Sequence, residues 1–217
     1  MSKASHLYVV YADKAQNADP NDRADVFFLR STNGGASWDG GTTGSMSPTR
    51  LSTVPTSDQW MPVLAVKDDG TKLFVAWYDR RNDPNNSLID VYGRWATIAT
   101  DGTVNFGAEF KITTSSFPPV LAGTLSDNMI VGHYDPVYPP NNVNLHWWHT
   151  TDWPEDTELD KYRTLNAWIG HVGEYHGAWS DGPYLYFSWT DNRLAASESL
   201  YPRNQSDIRF MRLTWSQ

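Results

Sequence analysis

One strand–loop–strand unit recurs along this chain, and a recurring unit constrains a fold more tightly than any local propensity. Leu7-Tyr8-Val9-Val10-Tyr11-Ala12-Asp13 is an alternating run that ends in Asp. Leu73-Phe74-Val75-Ala76-Trp77-Tyr78-Asp79 repeats it, and Leu185-Tyr186-Phe187-Ser188-Trp189-Thr190-Asp191 repeats it again. Period-2 alternation rich in β-branched and aromatic residues predicts a strand. A polar loop containing Asn and Pro follows each copy, and then a second strand opens on Asp: Asp25-Val26-Phe27-Phe28, Asp90-Val91-Tyr92-Gly93 and Asp207-Ile208-Arg209-Phe210. A weaker copy, Met129 to Asp135 and on to Val143-Asn144-Leu145-His146-Trp147-Trp148, falls between the second and third. It is either a further blade or an elaborated insertion.

The units fill out to four strands. Pro62-Val63-Leu64-Ala65-Val66 reads as a first strand closed by the hairpin turn Asp69-Gly70, and Gly177-Ala178-Trp179 with Asp181-Gly182 takes the same place later. Thr49-Arg50-Leu51-Ser52 and Phe110-Lys111-Ile112-Thr113 read as fourth strands. Four antiparallel strands repeated radially make an all-β chain, a β-propeller of about three to four blades. A β-sandwich would explain short strands but not the repeat. The expectation is one domain over 1–217, with units near 1–56, 57–116, 117–168 and 169–217. The first unit starts at its second strand and the last ends at its third, so the ring looks incomplete. Such a chain is a fragment, a small closed ring, or a subunit that self-associates through open blade edges or takes missing blades from another chain.

Composition narrows the partners. The net charge is −8 and there is no Lys/Arg cluster to follow a phosphate backbone, which argues against nucleic acid. The longest apolar run is too short to span a membrane. There is no Cys, which excludes disulfides and thiolate metal sites. The start, Met1-Ser2-Lys3-Ala4-Ser5-His6, carries no signal peptide.

Ser31-Thr32-Asn33-Gly34-Gly35-Ala36-Ser37-Trp38 matches the pattern Ser-x-Asp-x-Gly-x-x-Trp, with Asn33 in the Asp position. Asn accepts backbone N–H bonds across a tight turn and Gly supplies positive φ. A degenerate copy, Ala99 to Phe106 with Asp101, falls at the same place in the next unit. With Trp77-Tyr78-Asp79-Arg80-Arg81-Asn82-Asp83 and Trp189-Thr190-Asp191-Asn192-Arg193, these motifs resemble the sialidase-like (BNR-repeat, Asp-box) propeller superfamily. The resemblance covers most of the chain and is weakest from about 120 to 168. It implies that Ser31, Asn33, Gly35, Trp38, Asp101 and Phe106 are structural, with Trp38 buried, and lie away from any active centre. It also implies an extracellular or cell-surface setting.

The same resemblance asks for an arginine triad, a Tyr nucleophile with a Glu beside it, and an Asp acid/base, a departure from the usual two-carboxylate glycosidases. Candidates by type are Arg80, Arg81 and Arg193, Glu174 with Tyr175, and Asp58. The Phe-Arg-Ile-Pro motif that supplies one family arginine is absent. Glu174 and Tyr175, on a strand, would face opposite ways. Arginines that follow an Asp in every unit suit ion-paired loop corners, because a catalytic group is needed only once. The loop face would gather Trp60, Asp79, Arg80, Asp83, His133, Asp135, Tyr175, Asp191 and Arg193 around a glycan or protein ligand. The expected function is a carbohydrate- or protein-binding module. An exo-α-sialidase-type glycoside hydrolase and a structural subunit are the alternatives. No cofactor is implied. His171, His176 and Glu174 lack zinc-site spacing. The loop from Asp19 to Asp25 has oxygens that could hold Ca²⁺ but not the Gly-centred spacing of a dedicated site, and reads more simply as a solvated turn.

Overall fold

The computed structural model describes residues 5–13, 22, 24–41, 47–54, 56–84, 88–117, 176–191 and 207–215. They form ten strands: β1 (Leu7–Asp13), β2 (Asp25–Ser31), β3 (Thr49–Arg50), β4 (Gln59–Val66), β5 (Lys72–Asp79), β6 (Asp90–Ile98), β7 (Val104–Lys111), β8 (Gly177–Asp181), β9 (Tyr184–Asp191) and β10 (Asp207–Thr214). The described residues contain no α-helix, so the all-β expectation holds. No helix among them is long and apolar enough to cross a membrane.

The strands build three antiparallel sheets in the orders β1-β2-β3, β4-β5-β6-β7 and β10-β9-β8. Each is a meander of consecutive strands, and none closes on itself. Only the middle sheet has the expected four strands. The fourth strand of the first unit is shorter than 49–52, although Leu51 N still donates to Val26 O at 2.8 Å. That of the second unit starts earlier than Phe110, at Val104, directly after the Asp101–Gly102 turn. The apolar pattern across 104–109 is poor because β7 lies at a sheet edge with one side in solvent, so alternation is a weak guide there. The weaker repeat over 117–168 lies outside the described residues apart from Phe117.

The chain divides into two compact units. The first comprises 1–116, 176–188 and 210–217. Its core lies between the first and middle sheets, where Val26, Phe28 and Leu51 meet Leu73, Val75, Trp77, Ala96, Ile98 and Val104. Tyr8 and Val10 close it from β1. The opposite face of the middle sheet carries Phe74 and Trp95, paired across β5 and β6. The third sheet covers this face: Phe187 lies 5.6 Å from Phe74 and Trp215 5.5 Å from Trp95, ring to ring. Lys72 Nζ donates to Trp215 O, and Gly182 N donates to Asp68 Oδ2 at 2.9 Å. The sheets of the second and fourth expected units are therefore in direct contact. The second unit comprises 117–175 and 189–209. Within it Trp189 and Asp191 are buried, and Trp189 Nε1 donates to Asp191 Oδ2 at 3.2 Å.

The loop from Ser31 to Trp38 folds into a tight turn held by its own polar groups. Ser31 Oγ donates to Asn33 Oδ1 at 2.8 Å and accepts from Gly35 N at 2.8 Å. Asn33 Oδ1 also accepts from Ser37 N at 2.9 Å. Gly34 and Gly35 have φ of 70° and 95°, the left-handed region a side chain resists. Arg30 and Asp39 clasp the base of the loop through two backbone bonds and an ion pair at 2.8 Å. The buried position expected for Trp38 is not observed. Its indole is half-exposed beside Gly35. A Trp38→Ala change then costs about 1–2 kcal/mol, the share of a half-buried aromatic. In the degenerate box Asp101 Oδ1 accepts from Thr103 N at 2.8 Å. Phe106 packs edge-on against Phe28, 5.0 Å between rings.

Candidate functional site

The site lies at the other end of the hairpins, where β5 ends on Asp79 and β6 begins on Asp90. These two residues are directly opposed in the ladder, as are Asp13 and Asp25 in the first sheet. Like charges facing each other across strands repel. The middle sheet answers with a separate cation for each. Asp79, fully buried, accepts from Trp77 Nε1 at 3.0 Å, Arg81 N at 2.8 Å and Arg81 Nη2 at 2.6 Å. Asp90 accepts from Lys111 Nζ at 2.8 Å, and from Asn82, Thr113 and Ser116. Burial opposes the charge on Asp90, but these four donors outweigh it and hold the carboxyl below its usual range.

Arg81 is the hub. It bonds Asp79, Glu109 and Ser52 Oγ, and its guanidinium lies 4.2 Å from the Tyr92 ring centre. Burial alone would lower its pKa, yet the two carboxylates raise it. Arg80 turns to a different partner. It pairs with Asp58 Oδ2 at 3.1 Å and stacks 4.8 Å over Trp60. Asp83 Oδ2 accepts from Leu88 N at 2.7 Å and sets the loop. The two neighbouring arginines diverge and do not form a shared fork for one carboxylate. Asp58 is buried against its own arginine.

Asp79 and Asp191 were expected on the ligand face, and this is corrected: both are fully buried and bond the indole two residues earlier on their own strand. Residues i and i+2 of a strand share a face, so Trp-x-Asp at a strand end is a clasp built from one period. Trp60, Arg80 and Asp83 are half-exposed at this end, with Arg80 over Trp60, whereas the Arg81 side chain is largely buried. His133, Asp135, Glu174, Tyr175 and Arg193 lie outside the described residues.

Other participants escaped the sequence reading. Glu109 and Tyr92 reach Arg81 from strands whose pairing no local pattern reveals. Met61 has φ 50°, unusual for a side-chain-bearing residue, at a β-bulge between Trp60 and Val63. Pro62 within the strand was the available signal, since a proline inside a sheet marks an edge or a bulge. The bulge sets where the Trp60 ring stands, 5.4 Å from Tyr78.

Of the loop expected to be a solvated turn, residues 19–21 and 23 lie outside the described residues. Asp22 and Asp25 are buried. Burial pushes the Asp25 carboxyl up, Arg50 at 3.5 Å opposes this, and Asp79 adds to it. Among the described residues no group of three acidic or histidine side chains could hold a metal ion.

His176 stands 4.0 Å from the Tyr78 ring and 6.0 Å from Phe187. Burial pulls its pKa down to about 4, and the Met61 backbone, outside hydrogen-bond geometry, offsets little. The unfolded chain therefore binds a proton that the folded chain refuses between about pH 6.5 and 4. Stability conferred by the neutral imidazole is complete above pH 6.5 and falls by roughly 2–3 kcal/mol towards pH 4. Urea midpoints measured across this range should show the loss, and His176→Phe should abolish that segment of the pH dependence. An unchanged slope in the variant would exclude His176 as its source.

No family model, curated protein or solved structure matches the chain.

Proposed function

We propose that the chain is a sialidase-like propeller module that binds carbohydrate at the hairpin end around Trp60 and Arg80, without hydrolysing it. The observation that carries this reading is the engagement of both described candidate arginines by carboxylates of their own chain, Arg80 by Asp58 and Arg81 by Asp79 and Glu109. A sialidase needs arginines open to a substrate carboxylate, and opening these would leave buried carboxylates unpaired. What the end offers instead is a half-exposed indole with the Arg80 guanidinium over it, a combination suited to the apolar face and the hydroxyls of a sugar.

A glycan array probed with the full chain tests it. Binding should appear and should fall at least tenfold in Trp60→Ala. A fluorogenic sialoside should be left uncleaved. Turnover above background would replace this reading with the hydrolase, and binding that survives Trp60→Ala would move the site elsewhere.

A further inference from the structure

The two internal sheet interfaces obey one rule. The first sheet presents Tyr8 and Val10, and the middle sheet covers them with Leu73, Val75 and Trp77. The middle sheet then presents Phe74 on its other face, and the third sheet covers it with Phe187. Phe187 occupies in its repeat the place of Val75, and Phe74 that of Tyr8. Each sheet thus lays its Leu-x-Val/Phe face on the aromatic face of the sheet before it.

Applied once more, the rule leaves one face of each kind without a covering sheet among the described residues. On the first sheet the outward residues of β1 are Leu7 and Val9, 42% and 39% exposed, with Tyr11 stacked on Phe27. These are the counterparts of Leu73, Val75 and Trp77. On the third sheet the outward residues are Trp179 and Phe210, 69% and 63% exposed. Tyr186, which pairs with Trp179 across the ladder, stacks on Phe210, and Arg212 lies over Tyr184. Tyr186 is the counterpart of Phe74. Large apolar side chains this exposed, gathered on one face, mark a contact surface.

We infer that the open Leu7/Val9/Tyr11 face of one chain seats on the open Trp179/Tyr186/Phe210 face of a second copy. Within one chain the two faces point away from each other, because their sheets cover opposite faces of the middle sheet. Among the described residues no further sheet is left to cover either face, so the partner that repeats the existing geometry is another copy of the same chain, joined head to tail. The described sheets of two copies number six, within the typical four to eight blades of a propeller, and two such junctions close a ring. The inference is independent of what the hairpin end binds.

Light scattering on the full chain at about 5–100 µM should give twice the 24.6 kDa chain mass. Val9→Asp and Phe210→Asp each place a charge in one face, and each alone should give the single-chain mass. Both positions are exposed, and an unchanged far-ultraviolet circular dichroism spectrum and urea midpoint confirm that each variant is folded. Mixed in equal amounts, the two variants retain one intact junction and should recover the two-chain species. A single-chain mass for the wild type, as when residues 118–175 of the same chain cover a face, overturns the inference. So does dissociation by only one variant, which indicates like faces paired, or a mixture that stays single-chain.

Discussion

Replacing Asp79 with alanine is expected to destabilise the protein by about 3–5 kcal/mol, the cost of leaving one partner of a buried ion pair unmatched. The carboxylate is fully buried and accepts three hydrogen bonds, from the Trp77 indole, the Arg81 backbone and the Arg81 guanidinium. Its loss strands an indole N–H and forces Arg81 to rely on Glu109 and Ser52 alone. Asp79→Asn keeps an acceptor of the same shape and should lose about half as much. Guanidinium denaturation of the three proteins measures it. A midpoint for Asp79→Ala close to that of the wild type would mean that the network adds nothing to folding.

Trp77→Ala should cost a similar roughly 3–5 kcal/mol, for a different reason. The side chain is fully buried in the core between the first and middle sheets. Truncation leaves a cavity that two facing sheets cannot close, because each is held by its own ladder. Trp77→Phe keeps most of the volume and loses the bond to Asp79, so it should cost about 1–2 kcal/mol. Equal losses in the two variants would show that the hydrogen bond, and not the volume, is what matters. The two positions touch, so the losses at Trp77 and Asp79 should sum to more than the double variant shows.

The strands that carry these residues were legible because a half-buried strand writes its period into the sequence, and Leu73 to Asp79 does so plainly. The turn after β2 was legible because its bonds all fall within seven residues, Ser31 to Ser37. The ion-paired character of Arg80 and Arg81 followed from their recurrence beside the repeating Asp, though not the identity of their partners. Glu109 meets Arg81 only once β7 is in register beside β6, and register is a tertiary outcome. The burial of Asp79 and Asp191 was missed because a charged residue next to a polar loop reads as solvent-facing. The indole two positions earlier changes that, since it offers a donor on the same face. The direct contact between the middle and third sheets was out of reach, because repeats show which segments are alike and not which of them touch.

That contact has a consequence for synthesis. Phe74 emerges from the ribosome about 110 residues ahead of Phe187, the ring that covers it. The middle sheet is complete at Lys111, so at roughly 5–20 residues per second its aromatic face waits on the order of 4–15 s for its cover. During that time a nascent chain displays Phe74, Trp95 and Phe110 side by side on an ordered surface. A chain translated slowly between about residues 120 and 175 prolongs the exposure. Synonymous codons in that stretch, which leave every side chain unchanged, therefore bear on how much of the protein reaches its folded state without a chaperone.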